Sequence, residues 1–339
     1  MRRRLRSSSN TSRSCSAMRT PALPACFGDI GIAQRTQALG PRVWPASVTA
    51  MARTSYSQGV RSRFLAACLG LLALAPLAAA AAEPIRLTRI THIYGIVPDP
   101  TDPAKVLLAT DRGFFVAGPD GNAEQLSAEG TPFMAFAAAP NGTFLVTGGE
   151  RQGAVASRDG GKTWAPVAAG PAGPGPFLVL EASRTDPQLL FGAAVGVLYR
   201  SNDGGRTWTE LGPAPAPVVD LAAAAAKDVA YLGTARRLFR TADAGKTRAP
   251  VAIEGANRAA SMAATLPDGA TYAFVTGIGL VQMATNGASW TVVTPAADFD
   301  GALLHLTARA NTSRTYAVTQ YMKILVSDDG GQTWAPFDR

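Results

Sequence analysis

Two carboxylates facing one cleft are what glycoside hydrolysis requires, one as acid and the other as base or nucleophile. The chain offers such a pair in Glu181 and Asp220, which fall on adjacent repeats with matching orientation. His305, one of only two histidines downstream of the leader, falls in a third repeat and can tune or shuttle protons near neutral pH. These three are the candidate channel ligands, and Glu181 and Asp220 the candidate catalytic acids. The plainer reading is a wet channel that carries a few solvated polar groups at little cost.

Most other chemistries are excluded by what the chain lacks. Cys15, Cys26 and Cys68 all lie in the first 82 residues, so the remainder has no disulfide, thiolate nucleophile or Cys-ligated metal site. His92 is the other histidine, and no HExxH spacing accompanies it. No GxSxG elbow, Walker A loop or dinucleotide fingerprint is present. Neither a metal nor a cofactor is expected.

The elements that must position these residues are repeats. Ser157-Arg-Asp159-Gly-Gly161-Lys-Thr163-Trp164 returns as Ser201-Asn-Asp203-Gly-Gly205-Arg-Thr207-Trp208 and as Ser327-Asp-Asp329-Gly-Gly331-Gln-Thr333-Trp334. A worn copy reads Thr241-Ala-Asp243-Ala-Gly245-Lys-Thr247-Arg248, and a more worn one ends Thr285-Asn-Gly287-Ala-Ser289-Trp290. Starts at 157, 201, 241, 283 and 327 are 44, 40, 42 and 44 residues apart, and a further step back reaches a vestigial turn at Asp120-Gly121. Six units of this period belong to a propeller or solenoid. In each turn an Asp carboxylate can accept backbone N–H bonds, the glycines permit positive φ, and the Trp ring packs between units. Asp159, Trp164, Asp203, Trp208, Asp243, Asp329 and Trp334 are therefore structural; a calcium loop would need more oxygen ligands than one turn supplies.

Each unit reads as four short strands. In the second these are Phe133–Ala138, Thr143–Thr147, Ala154–Ser157 and Trp164–Ala168, with turn residues between them. No sustained helical period occurs, so the fold is all-β, about six four-stranded blades closed radially. Taking the first strand of each unit as innermost, alternation predicts two faces. Ile96, Phe136, Leu180, Leu221, Met262 and Leu306 form a packing face, joined two residues earlier by Tyr94, Met134, Leu178, Val219, Ala260 and Leu304. Gly95, Ala135, Val179, Asp220, Ser261 and His305, then Val97, Ala137, Glu181, Ala222, Ala263 and Thr307, form the channel wall. Ring closure stays open: Thr333–Phe337 and Ile85–Ile90 both suit the last unit's outer edge.

Charge divides the chain. Its formal net charge is +8, but the first 82 residues carry 11 Arg and one acid, against 21 Lys and Arg and 23 Asp and Glu in the rest. The later part is nearly neutral with interspersed charges and has no electrostatic footprint for nucleic acid. Phe64–Leu77 is an apolar run preceded by Arg61 and Arg63 and followed by small residues, the pattern of a secretion signal. It is too short for a comfortable membrane span. Leu65-Ala-Ala-Cys68 opens this run, whereas a lipobox would close it. The expected organisation is 1–50 disordered or an over-extended start, 51–82 a secretion signal and 83–339 the propeller, placing the protein in the periplasm or outside a bacterial cell.

The eight-residue turns resemble the Asp-box (BNR repeat) of sialidases and related propellers over residues 85–339. His92-Ile-Tyr-Gly-Ile-Val-Pro-Asp-Pro through Asp111-Arg-Gly113 is similar to a bacterial group labelled glycosyl hydrolase and to the photosystem II assembly-factor propellers, which are binding scaffolds. Sialidases of this superfamily have an Arg-Ile-Pro signature, an arginine triad and a Tyr–Glu nucleophile pair. Here the segment reads Pro84-Ile85-Arg86-Leu87, no arginine triad falls on inner strands, and Tyr316 and Tyr321 are strand residues of the last unit. The expectation is an exported, non-catalytic propeller binding an envelope protein or glycan, of open oligomeric state, with a sialidase-like glycosidase or lyase using Glu181 and Asp220 as the alternative.

Overall fold

The computed structural model describes residues 83–127, 133–148, 152–167, 176–226, 228–253, 258–284 and 289–338. The leader with its expected signal and three cysteines, and residues 285–288 of the most worn turn, lie outside the described residues.

Six antiparallel sheets follow one another along the chain. Their innermost strands are Ile93–Pro98, Phe133–Ala138, Val179–Ala182, Val218–Ala223, Ala260–Thr265 and Leu303–Ala308, one for each of blades 1 to 6. Each inner strand stands beside the next, and that of blade 6 lies beside that of blade 1, closing the ring. The fold is an all-β six-bladed propeller.

Second strands show why the blades must stack. Val106–Thr110, Leu190–Ala194, Ala230–Thr234 and Thr315–Thr319 are buried at every residue. A strand covered on both faces reads as a continuous apolar run, and only a neighbour on each side can cover it. Six clusters of buried side chains result, one between each pair of consecutive blades. Inner strands serve two clusters alternately: Leu221 and Ala223 pack toward blade 3, while Ala222 between them packs toward blade 5. The two faces separated by alternation are therefore two blade interfaces, not a packing face and a channel wall. The inner strand presents its edge to the channel.

Both segments considered for ring closure are used, on different blades. Ala335–Pro336 pairs with Leu325 and Val326 as the outer strand of blade 6. Ile85–Arg86 pairs with Ala123 and Asn122 as a fifth strand outside blade 1. Phe337, Tyr316, Val318 and Ile324 then pack with Ile90, Ile93, Ile96 and Leu108, joining the last blade to the first through apolar contact.

The turns are built as their composition requires. Asp159 Oδ1 accepts from Ser157 Oγ at 2.8 Å and from the N–H groups of Lys162 and Thr163 at 3.1 and 3.0 Å, while the Thr163 hydroxyl donates to Oδ2. Ser157 Oγ in turn accepts the Gly161 N–H at 2.8 Å, and Trp164 Nε1 donates to Gly161 O at 3.1 Å. Asp203, Asp243 and Asp329 repeat the Ser/Thr–Asp–Thr bonding. Gly161 has φ of +90°, and a Cβ there would run into the Phe114 ring of blade 1, so conformation and space both demand glycine. In the worn turn of blade 4, Arg248 replaces the indole and donates from Nη1 to Pro213 O and from Nη2 to Leu211 O, at 2.9 and 2.7 Å.

Candidate functional site

A cavity of about 430 Å³ runs down the axis, lined by inner strands of all six blades. Its mouth is shaped by a recurring irregularity. In five inner strands the register slips by one residue near the start, leaving Tyr94, Met134, Val219, Ser261 and Leu304 without a partner on the next strand. In blade 3 the Leu178 N–H bonds Ala193 O, although Val179 already opposes Ala193. Such a bulge takes the extra residue out of the alternation and re-aims its side chain. Tyr94, Met134, Leu178, Val219 and Leu304, expected on the packing face, consequently line the cavity instead. Leu178 is 57% exposed and Val219 45%. They form an apolar collar, and His92 stacks on Tyr94 at its rim.

Blade 5 also departs from the expected alignment. Ser261 takes the bulge position there, and Met262 stands where Asp220 and His305 stand in their blades. Ala260 is fully buried between blades and is not part of the collar.

Glu181, Asp220 and His305 all border the cavity, together with Arg184 and Ser261. Each of the polar groups also reaches the following blade. Glu181 accepts a backbone N–H from Ala223 of blade 4. Asp220 Oδ2 accepts the Ala263 N–H of blade 5 at 3.0 Å, and its Oδ1 the Leu221 N–H at 3.0 Å. Ser261 Oγ donates to Leu303 O of blade 6 at 2.7 Å, and His305 Nε2 donates to Ile93 O of blade 1 at 3.0 Å. These four bonds point the same way around the ring and clip successive blades together. Between blades 1 and 2 no such side chain is needed, because Gly95 lets the Phe136 ring close onto the backbone.

Burial sets the electrostatics. It pushes the Glu181 carboxyl up to about 7, against the opposing Arg184 guanidinium and two backbone N–H bonds. Asp220 is raised well above the usual carboxylate range, by burial first and by the nearby Glu181 charge as well. Burial lowers His305 to about 4, against its bond to Ile93 O, so the imidazole is neutral at physiological pH. Arg184 was not anticipated. Its Nη2 lies 3.9 Å from Glu181 Oε1, while its Nε donates at 3.0 Å to Thr265 O of blade 5. The only hint in the sequence was its charge three residues after an acid.

Tyr316 is a core residue, 1% exposed, whereas Tyr321 stands in solvent. No group of His, Cys, Asp and Glu among the described residues is arranged to hold a metal ion. None of the described helices is long and apolar enough to cross a membrane.

Six four-stranded blades carrying repeated Ser/Thr–Asp–Gly turns define an Asp-box propeller. Within that class, the family model described as photosynthesis system II assembly factor YCF48 matches residues 134–338, more than half of the chain, and the chain belongs to that family. No curated protein matches it in sequence. Among solved structures it is similar to YCF48 bound to D1 peptide (19% identity, TM-score 0.48, covering 75% of this chain and 83% of that one). It is also similar to YCF48 from Cyanidioschyzon merolae (16%, 0.44, 76% and 88%). A third is the GH74 enzyme of Niastella koreensis (19%, 0.45), where 73% of this chain is covered but only 44% of the enzyme.

Proposed function

We propose that this protein is an exported, non-catalytic propeller that binds a segment of a protein partner in the cell envelope at the apolar mouth of its channel. The observation that carries the reading is the collar. Five apolar side chains are turned by a recurring bulge toward an opening, where exposed apolar surface marks an interaction site rather than a core. A cavity of about 430 Å³ takes one or two side chains of an extended segment and not a folded domain. Membership of an assembly-factor family supports a protein over a glycan as the occupant.

The acids fit a binding scaffold better than a glycosidase. Both Asp220 oxygens already accept backbone N–H groups, and Glu181 is engaged by the next blade. One observation favours the glycosidase alternative: Glu181, raised to about 7, stands close enough to Asp220 to perturb it, as an acid–base pair does. A glycoside panel decides this. Turnover lost in Asp220→Asn with the fold intact would establish the enzyme; no turnover in the wild type removes it.

The test of the proposed function is a cross-linked pull-down from envelope extract with wild type and Leu178→Asp/Val219→Asp. Near-stoichiometric recovery of one protein with the wild type, lost in the variant, is expected. Equal recovery with both moves the interface elsewhere. Export is part of the proposal, and residues 51–82 fused to alkaline phosphatase should give activity outside the cytoplasm.

A further inference from the structure

We infer that the segment docking at the collar carries a basic side chain, lysine or arginine, which passes into the cavity and meets Glu181 and Asp220 while its apolar neighbours cover Leu178 and Val219. The inference rests on the proposed binding role and adds the chemistry of the partner.

Charge complementarity supplies the argument. The charged groups bordering the cavity are Glu181, Asp220 and Arg184, with neutral His305 opposite and His92 at the rim, where it faces Asp111 at 3.8 Å. Two carboxylates against one guanidinium leave the interior one cation short. That guanidinium is also partly committed elsewhere, since Nε is bonded to Thr265 O and Nη2 stands 3.9 Å from Glu181. Burial without full compensation is what drives both acids toward their neutral forms. An incoming ammonium or guanidinium reverses this by favouring the charged carboxylates. The collar excludes water around the contact and strengthens it. An anionic or purely apolar segment would leave the acids as they are or repel them.

Two consequences are measurable. Binding must release protons near pH 7, because carboxyls protonated in the free protein become carboxylates. Affinity must rise between pH 6 and pH 8, as Glu181 ionises through about 7. His305 stays neutral across this interval.

The experiment sorts a display library of random seven-residue segments on the full chain at pH 8, then measures the best binder by titration calorimetry. Enrichment of lysine or arginine between apolar residues is expected. Replacing that lysine with norleucine should weaken binding roughly tenfold. Glu181→Gln should abolish the difference, whereas Arg184→Gln, which leaves the acids less compensated, should enlarge it. Proton release should appear in buffers of different ionisation enthalpy. Enrichment of acidic or uncharged segments, equal binding of the norleucine peptide, or no enrichment at all overturns the inference. A protein captured through the collar, with its loss in Leu178→Asp/Val219→Asp, would still stand after any of these results, so the two readings fail separately.

Discussion

Carboxylates occur in two settings in this ring, and the two respond oppositely to the same fold. At the periphery, the Asp159 and Asp329 carboxylates stand in solvent yet are held well below the usual range, chiefly by the hydroxyls of Thr163 and Thr333 and by neighbouring backbone N–H groups. At the centre, Glu181 and Asp220 are pushed up by burial. Hydrogen bonds to a charge cost little where water also reaches it, and they stabilise the ionised form. In the cavity fewer bonds, two to Asp220 against four to Asp159, do not offset the lost hydration. The outer acids are therefore finished parts of the architecture. The inner acids hold blades together and still have charge to develop when a partner arrives.

The contrast can be broken most severely at the periphery. Gly161→Val forces a branched side chain onto positive φ and into Phe114, and should cost more than about 3 kcal/mol in urea unfolding. Ser201→Ala removes the hydroxyl that accepts the buried Gly205 N–H at 2.8 Å. A loss of about 1–3 kcal/mol is expected for that orphaned donor.

The pH dependence of stability separates the two regions by sign. Glu181 has a raised native pKa, so its contribution is fully present below the unfolded value of 4.5 and is lost as pH rises through about 7. The urea midpoint should accordingly fall between pH 5 and pH 8, less steeply in Glu181→Gln. The turn aspartates have depressed native pKa values, so their contribution is present above the unfolded value of 3.8 and lost as pH falls below it. Asp329→Asn should flatten that acid limb and leave the neutral limb alone.

The smallest effect compares two tryptophans. Trp334 Nε1 donates to Gly331 O at 3.0 Å, whereas buried Trp290 Nε1 has no partner among the described residues. Trp334→Phe should lower the unfolding midpoint measurably, and Trp290→Phe should lower it less or not at all.

How much of this was readable in the sequence follows from what repeats. Three turns recur with an unambiguous Asp, Gly and Trp at fixed offsets, and a worn copy at Asp243 ends in Arg248, so the number of blades was legible. The collar was not. A bulge inserts one residue without changing the composition of the strand, and only the pairing with Ala109, Thr147, Gly233 or Val318 reveals that Tyr94, Met134, Val219 and Leu304 have left the alternation. The same blindness displaced blade 5 by one position and put Ser261 beside Asp220 and His305. Alternation also identified two faces correctly but assigned one of them to the channel. In a ring of blades both faces meet neighbours, which is why Glu181, Asp220 and His305 each bond the next blade.

The contrast between rim and centre is tested most directly by following the side-chain carboxyl carbons of the full chain by NMR from pH 2.5 to pH 9, with Glu181→Gln and Asp329→Asn to assign the signals. The account predicts that Glu181 titrates near 7 while Asp329 remains ionised until well below pH 3.8. A Glu181 signal titrating near 4.5, alongside the exposed acids, would contradict it.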